Sequence, residues 1–193
     1  MRLSRLTTSP SVLYSLALSA LLLSGCATQG RHAEPSAEPP ATTVGATPAY
    51  DWAPLQQALS GALAEIPGAE VTTTAGNGLH LRIPVSDGFA SGSAALKPTL
   101  VQVLDSLVAP LNDHPKVLIH IVGHTDSVGS EMYNLQLSIK RGEAVMEHLR
   151  SRGIVLARLS ADGKGEAEPI ADNGREAGRA RNRRVEIVLT LDR

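Results

Sequence analysis

Apolar residues recur at steps of three and four along three segments of the chain, and this spacing predicts three amphipathic helices. The first ends before Pro67 and Gly68, the second follows "FASGSAALKP", and the third covers residues 131–150. Their inward positions are Trp52, Leu55, Leu59, Leu63 and Ile66 in the first helix, Leu96, Leu100, Leu104, Leu107 or Val108, and Leu111 in the second, and Leu135, Ile139, Val145, Met146 and Leu149 in the third.

Alternation of apolar and polar residues predicts strands around these helices. "EVTTT" and "LHLRIPV" flank the turn "AGNG", which indicates a β-hairpin with Pro84 near a strand end. "KVLIHIV" is typical of a compact strand rich in β-branched residues, and "VEIVLTL" predicts a closing strand. The segment between them, from Arg158 to Arg184, is polar and Gly-rich, with a helix expected near its end.

Strands interleaved with helices predict a single α/β domain. We expect an α/β (α+β) two-layer sandwich, in which a mixed β-sheet carries its helices on one face. The chain shows no internal repeat.

The N-terminal residues predict a signal peptide over residues 1–25. Arg2 and Arg5 precede an apolar stretch from Val12 to Leu23, which is too short to cross a bilayer. The stretch ends in "LSGC", which holds Cys26, the single cysteine of the chain, and resembles the bacterial lipobox. That resemblance implies lipidation of Cys26, and Ala27 after it favours the outer membrane. The alternative is an ordinary signal peptide that ends in a cysteine.

Residues 26–49 are rich in Ala, Pro, Thr, Ser and Gly. Such a composition cannot bury enough apolar surface to offset the entropy of ordering the chain, so we expect a tether. Residues 50–82 are expected to form an extension of one helix and a hairpin, and residues 83–193 the main domain.

The formal net charge of -1 and the 3% aromatic content argue against a nucleic-acid partner. Proteins of that class present a basic face with stacking aromatic side chains.

"GHTDSVGS" follows the buried strand and precedes the third helix, a position where α/β sheets commonly bind ligands. On that helix Asn134, Ser138 and Arg141 form one polar stripe, expected at the edge of the core. Arg141 can then lean over the loop that holds Asp126, and the two charges would suit a zwitterion such as an amino acid. The alternatives are a salt bridge between them that ties loop to helix, or two unconnected surface charges.

Three further residues, Arg179, Asn182 and Arg183, share a predicted helix face and can add donors to the same site or complement the helix C-terminus.

Other chemistry is less well supported by the spacing. His120 and His124 have no cysteine or further metal ligand at a suitable spacing, so no metal is expected. Ser127 does not fit a nucleophile motif, so no enzyme and no cofactor are expected. His124 is interpreted as a loop residue whose ring fixes the turn.

Four motifs in order resemble the OmpA-like, or OmpA C-terminal, peptidoglycan-binding domain. They are "F-x-x-G-S-A-x-L" from Phe89, "GHTDSVGS" with "YNLQLSIKR", "GKGEAEPIADN" and "GRARNRRVEIVL", and they extend over roughly residues 83–191. The resemblance implies a βαβαβ arrangement and non-covalent binding of peptidoglycan through meso-diaminopimelate. It places ligand contacts at Asp126 and Arg141, with Asn134 and Arg183 in support. Ala90 and Gly142 depart from the family pattern.

Two functions are expected from this resemblance. The first is a lipoprotein of the outer membrane, with its domain in the periplasm, that couples the inner leaflet of that membrane to peptidoglycan. The second is an interaction or signalling lipoprotein, as in the Tol-Pal system, that docks a periplasmic protein through the segment between Tyr50 and Val85.

Overall fold

The computed structural model describes residues 50–86, 88–90 and 92–192. The predicted signal peptide (1–25), Cys26 and the predicted tether (26–49) lie outside these residues. None of the helices in the described ranges is long and apolar enough to span a bilayer.

Four α-helices and five strands follow one another along the described chain. They are α1 (Ala53–Ala62), β1 (Glu70–Thr74), β2 (Gly78–Pro84), α2 (Pro98–Asn112), β3 (Val117–His124), α3 (Glu131–Ser151), a 3-10 turn (Leu156–Arg158), β4 (Leu159–Gly165), α4 (Glu176–Asn182) and β5 (Arg184–Leu191). The three long helices and the hairpin that the sequence predicts are confirmed.

The five strands form one mixed sheet in the order β1-β2-β5-β3-β4. β3 and β4 are parallel and joined by α3, while every other neighbouring pair is antiparallel. The hairpin between β1 and β2 turns at Asn77, whose φ of 57° is tolerated by asparagine. The mixed sheet covered by helices confirms the predicted fold class.

The core lies between the sheet and its helices. Alternate residues of β2, β3 and β5 point into it, and α1 and α2 cover them with leucines at three- and four-residue steps. The fully buried leucines of the two helices are Leu55, Leu59, Leu104, Leu107 and Leu111. Each such side chain contributes about 1.5–3 kcal/mol to folding on burial. Residues of α1, β1 and β2 pack in the same hydrophobic core as those of the later elements.

The orientation of α3 differs from the prediction. Leu135 is 37% exposed, and Ile139 and Met146 are only partly buried. The first half of the helix instead buries its polar stripe, with Asn134 2% and Ser138 0% exposed. Only Val145 and Leu149 of the predicted inner face are fully buried.

Glycines of the sheet explain this orientation of α3. A Cβ at Gly123 of β3 would overlap the carbonyl oxygen of Ser138, and one at Gly163 of β4 would overlap the backbone of Ile139. The helix backbone therefore lies too close to the sheet for leucine or isoleucine to fit between them. The small Ser138 fits, and its hydroxyl accepts a hydrogen bond from the amide of Gly165 at 2.8 Å.

β4 was not predicted from the sequence. Its helix-facing positions after Leu159 are Ala161, Gly163 and Gly165, and its other positions are polar. Because α3 packs so closely, this strand needs small residues where strands usually carry large apolar ones. The alternation that predicts a strand is therefore absent.

Candidate functional site

The loop between β3 and α3 presents Asp126 in a fixed conformation. The amide of Thr125 donates to the carbonyl of Gly165 at 2.9 Å, which ties the loop to the end of β4. Oδ1 of Asp126 accepts the amide of Val128 at 3.0 Å, and Ser130 caps the N-terminus of α3. One carboxylate oxygen of Asp126 is thus used within the loop, and Oδ2 faces outward from it.

Oδ2 of Asp126 contacts Arg183, at the C-terminal end of α4. Nη1 of Arg183 lies 2.6 Å from this oxygen, and Nη2 lies 2.8 Å from Oε1 of Glu176. Burial opposes the charge of Arg183, but its hydrogen bonds to Glu176 and Asp126 outweigh burial and raise its pKa. The salt bridge considered for Asp126 is therefore made by Arg183 and not by Arg141.

Arg141 is 9% exposed and lies against the segment between β2 and α2. Its Nε donates to the carbonyl of Ser93 at 3.0 Å, and its guanidinium carbon lies 4.9 Å from the centre of the Phe89 ring. Burial lowers its pKa, although an arginine keeps its charge at any physiological pH. Among the described residues Arg141 makes no ion pair, and the charge of Asp126 favours its cationic form only from a greater distance.

Asn134 holds the loop in place from the first turn of α3. Its amide nitrogen donates to the backbone carbonyl of Asp126 at 3.2 Å and to Oε2 of Glu166 at 2.6 Å. Both amide hydrogens are thereby engaged by the protein. The contact with the Asp126 backbone makes Asn134 a support for the carboxylate of that residue.

All four predicted ligand contacts line one cavity of about 490 Å³. Arg141 and Asn134 come from α3, Asp126 from the loop before it, and Arg183 from the end of α4. Asn182 was predicted on the same face as Arg183, but it is fully buried and binds the backbone of Ile170 and Ala171. It shapes the chain beside the cavity without lining it.

Several further residues of the site were missed by the sequence reasoning. Thr125 is 5% exposed, lines the cavity, and its hydroxyl has no hydrogen-bond partner among the residues that the structure describes. Lys97 and Glu176 also line the cavity. Thr125, Glu166 and Lys97 lie within or beside the motifs that mark the site in the sequence, so their position was a signal. Glu176 lies between two of these motifs and reaches the cavity only through the fold.

His124 was interpreted as fixing the turn, and this was wrong. It ends β3, is 1% exposed, and neither ring nitrogen makes a hydrogen bond within the described residues. Nε2 lies 3.7 Å from Glu186 on β5. Burial disfavours ionisation of Glu186, but its neighbours His124, His80 and Arg184 outweigh burial and hold its pKa well below the usual value. His124 therefore belongs to a charged cluster on the sheet.

A larger cavity, of about 690 Å³, lies between the segment after α1, β2 and α2. Its lining is mostly apolar, and its charged residues include Arg82 and Arg184, which pair with Glu70 and Glu186. The smaller cavity is the better candidate site, because it combines a buried unpaired cation with a fixed carboxylate.

A mixed sheet under helices, with opposite charges converging on a cavity beside the end of β3, defines an α/β binding module. A sequence model of the OmpA family matches residues 88–183. This part of the chain belongs to the OmpA family.

Two curated relatives extend the comparison. The chain is 37% identical over 118 residues to the probable lipoprotein YiaD of Escherichia coli, covering 61% of this chain and 54% of YiaD. It is 38% identical over 101 residues to the peptidoglycan-binding protein ArfA of Mycobacterium tuberculosis, covering 52% of this chain and 31% of ArfA. The chain thus spans about half the length of the first relative and a third of the second.

Solved structures share the fold. A putative MotB-like protein from Desulfovibrio vulgaris has a TM-score of 0.64 at 29% identity, covering 73% of this chain and 92% of that one. The cell wall anchor of the T6SS from Pseudomonas aeruginosa has a TM-score of 0.62 at 28% identity, covering 71% and 99%.

Proposed function

We propose that this protein binds peptidoglycan non-covalently through the meso-diaminopimelate of the stem peptide. Arg141 pairs with the carboxylate at the free end of diaminopimelate, and Asp126 accepts from the ammonium on the same carbon. Asn134 and Arg183 support Asp126. The protein performs no chemistry on the ligand.

The unpaired charge of Arg141 is the observation that carries this proposal. Holding a largely buried guanidinium without an ion-pair partner carries a cost, because Asp126 attracts it only from beyond ion-pair distance. The Nε bond to Ser93 and the ring of Phe89 fix its position, so the Nη atoms are held in place for a bidentate carboxylate. An anionic group of a ligand removes the cost.

Asp126 supplies the opposite charge at the same cavity. Its Oδ2 carries more than one lone pair, so an ammonium can approach it beside Arg183. Arg183 also holds Glu176, at 2.8 Å, and keeps this partner if the ammonium displaces it from Asp126. The charges of the site can therefore accommodate a zwitterion without leaving an arginine unpaired.

The relatives support the same class of ligand. ArfA is named as peptidoglycan-binding, and the Pseudomonas structure is described as a cell wall anchor. The match to the OmpA family covers residues 88–183 and so includes the motifs that hold Asp126 and Arg141.

Calorimetric titration of the full chain tests this proposal with two stem peptides that differ at one residue. The diaminopimelate peptide is expected to bind at least about 30-fold more tightly than its lysine counterpart, because lysine lacks the carboxylate that pairs with Arg141 and leaves this cation desolvated and unpaired. Equal affinity for the two peptides would contradict the assignment of diaminopimelate.

We also propose that lipid on Cys26 anchors the protein to the inner leaflet of the outer membrane, with residues 26–49 as the tether between the anchor and the periplasmic domain. The lipobox-like "LSGC" and the similarity to a probable lipoprotein support this proposal. Binding of peptidoglycan by the anchored protein couples membrane and wall.

Metabolic labelling with palmitate checks the anchor. The wild type is expected to incorporate label and to sediment with the outer membrane, whereas Cys26→Ser removes the single thiol and should lose both properties. Label retained by Cys26→Ser would refute lipidation at this position.

A further inference from the structure

The cavity around Asp126 carries more positive than negative charge. Among the described residues that line it there are four cations and two carboxylates, namely Lys97, Arg141, Arg179 and Arg183 against Asp126 and Glu176. Both carboxylates are already paired, Asp126 with Arg183, and Glu176 with Arg183 and Arg179. The two cations left over are Arg141 and Lys97, since no ion pair joins Lys97 to any residue in the described ranges.

Lys97 ends a short segment that also contacts Arg141. Phe89 and Leu96 pair in an isolated antiparallel bridge, and the amide of Lys97 donates to the carbonyl of Gly88 at 2.9 Å. The ring of Phe89 lies under the guanidinium of Arg141. In the same segment, the backbone carbonyl of Ser93 accepts a hydrogen bond from Nε of Arg141. One hairpin-like segment thus positions both unpaired cations at one cavity.

A single zwitterion cannot satisfy both of these cations. The free end of diaminopimelate brings one carboxylate and one ammonium, which Arg141 and Asp126 take. Lys97, whose side chain is exposed to solvent, is then still free to pair with a second anionic group. A stem peptide, however, carries further carboxylates close to diaminopimelate, on the α-carbon of D-glutamate and at its own C-terminus.

We propose that Lys97 is a specificity-determining residue that takes a second carboxylate of the stem peptide, so that the site distinguishes ionised stem peptides from amidated ones. The inference rests on the proposed function, because it requires diaminopimelate at Arg141 and Asp126. Amidation replaces the carboxylate by a neutral group and removes its attraction to Lys97.

Titration of the full chain with three diaminopimelate peptides tests this inference. One peptide is fully ionised, one is amidated on D-glutamate, and one is amidated at the C-terminus. The wild type is expected to bind the ionised peptide about two- to fivefold more tightly than one of the two amidated peptides, and that peptide identifies the carboxylate that Lys97 binds.

Lys97→Gln should lower the affinity for the ionised peptide by the same two- to fivefold factor and leave the affinity for the discriminating amidated peptide unchanged. Lys140→Gln is the matched control, because Lys140 is an exposed lysine beside Arg141 in sequence that does not line the cavity. Folding should be unaffected, since Lys97 precedes α2 without making a side-chain cap.

The outcomes separate the two proposals. If the wild type binds none of the peptides, the proposed function fails and this inference fails with it. If the wild type binds all three equally, or if Lys97→Gln weakens all three by one factor, Lys97 does not determine specificity while the proposed function stands.

Discussion

Replacing either Asp126 or Arg141 with alanine is expected to reduce affinity for the diaminopimelate stem peptide by about 30-fold to several thousand-fold, equivalent to about 2–5 kcal/mol. The loss is large because each substitution leaves one charge of the ligand desolvated and unpaired in the cavity. In Asp126→Ala the ligand ammonium would also lie near Arg183, which has lost its partner at 2.6 Å and keeps only Glu176.

Calorimetry of the purified variants measures this loss, and circular dichroism establishes that each variant is folded. Arg150→Ala is the matched control, since Arg150 lies on the same helix, pairs with Glu147 and is exposed to solvent. Arg141→Lys keeps the charge but loses the planar fork, so it should recover only part of the affinity. Wild-type affinity in both alanine variants would remove Asp126 and Arg141 from the binding site.

Gly123→Ala is expected to destabilise the fold by about 3 kcal/mol, at the upper end of the usual cost of overpacking. The added Cβ would overlap the carbonyl oxygen of Ser138 in α3, and neither the central strand nor the helix backbone can move alone. The helix must shift away from the sheet, which also separates the Ser138 hydroxyl from the amide of Gly165. Because α3 carries Asn134 and Arg141, this variant should bind peptide poorly even where it remains folded.

Chemical denaturation measures the free energy of unfolding, with Gly61→Ala as the control. Gly61 lies within α1, and a Cβ there would have no atom within 4 Å. The same substitution should therefore stabilise the protein, by about 0.5–1 kcal/mol, because alanine loses less entropy than glycine in a helix. A Gly123→Ala variant as stable as the wild type would show that α3 does not need this close approach.

The pairing of α3 with β3 and β4 shows where sequence periodicity misleads. An apolar stripe that includes Leu135 and Ile139 predicts the inner face of a helix, yet the structure turns Asn134 and Ser138 inward. Predicting the inner face of a helix from its apolar stripe assumes that large side chains separate the helix from the sheet. Here Gly123 and Gly163 remove that separation, so small and polar residues occupy the contact.

Some charged residues of the site can likewise be found from the sequence, whereas their contacts appear only in the structure. Asp126 and Arg141 can be found from the sequence, because each lies in a short motif beside a predicted strand or helix. The pairs that the side chains of the site form cannot be found in this way, since Arg183 meets Asp126 across 57 positions and Glu166 meets Asn134 across 32. Lys97 reaches the same cavity through the bridge between Phe89 and Leu96.

The sequence by itself determined the elements that repeat locally: the leucine spacing of α1 and α2, the hairpin around Asn77, the strands β3 and β5, and the two charges next to them. The tertiary structure alone decided the face of α3, the existence of β4 and the pairing of Asp126 with Arg183. The physical reason is that periodicity reports burial within one element, whereas these features depend on how closely two backbones approach and on which charges meet across the fold.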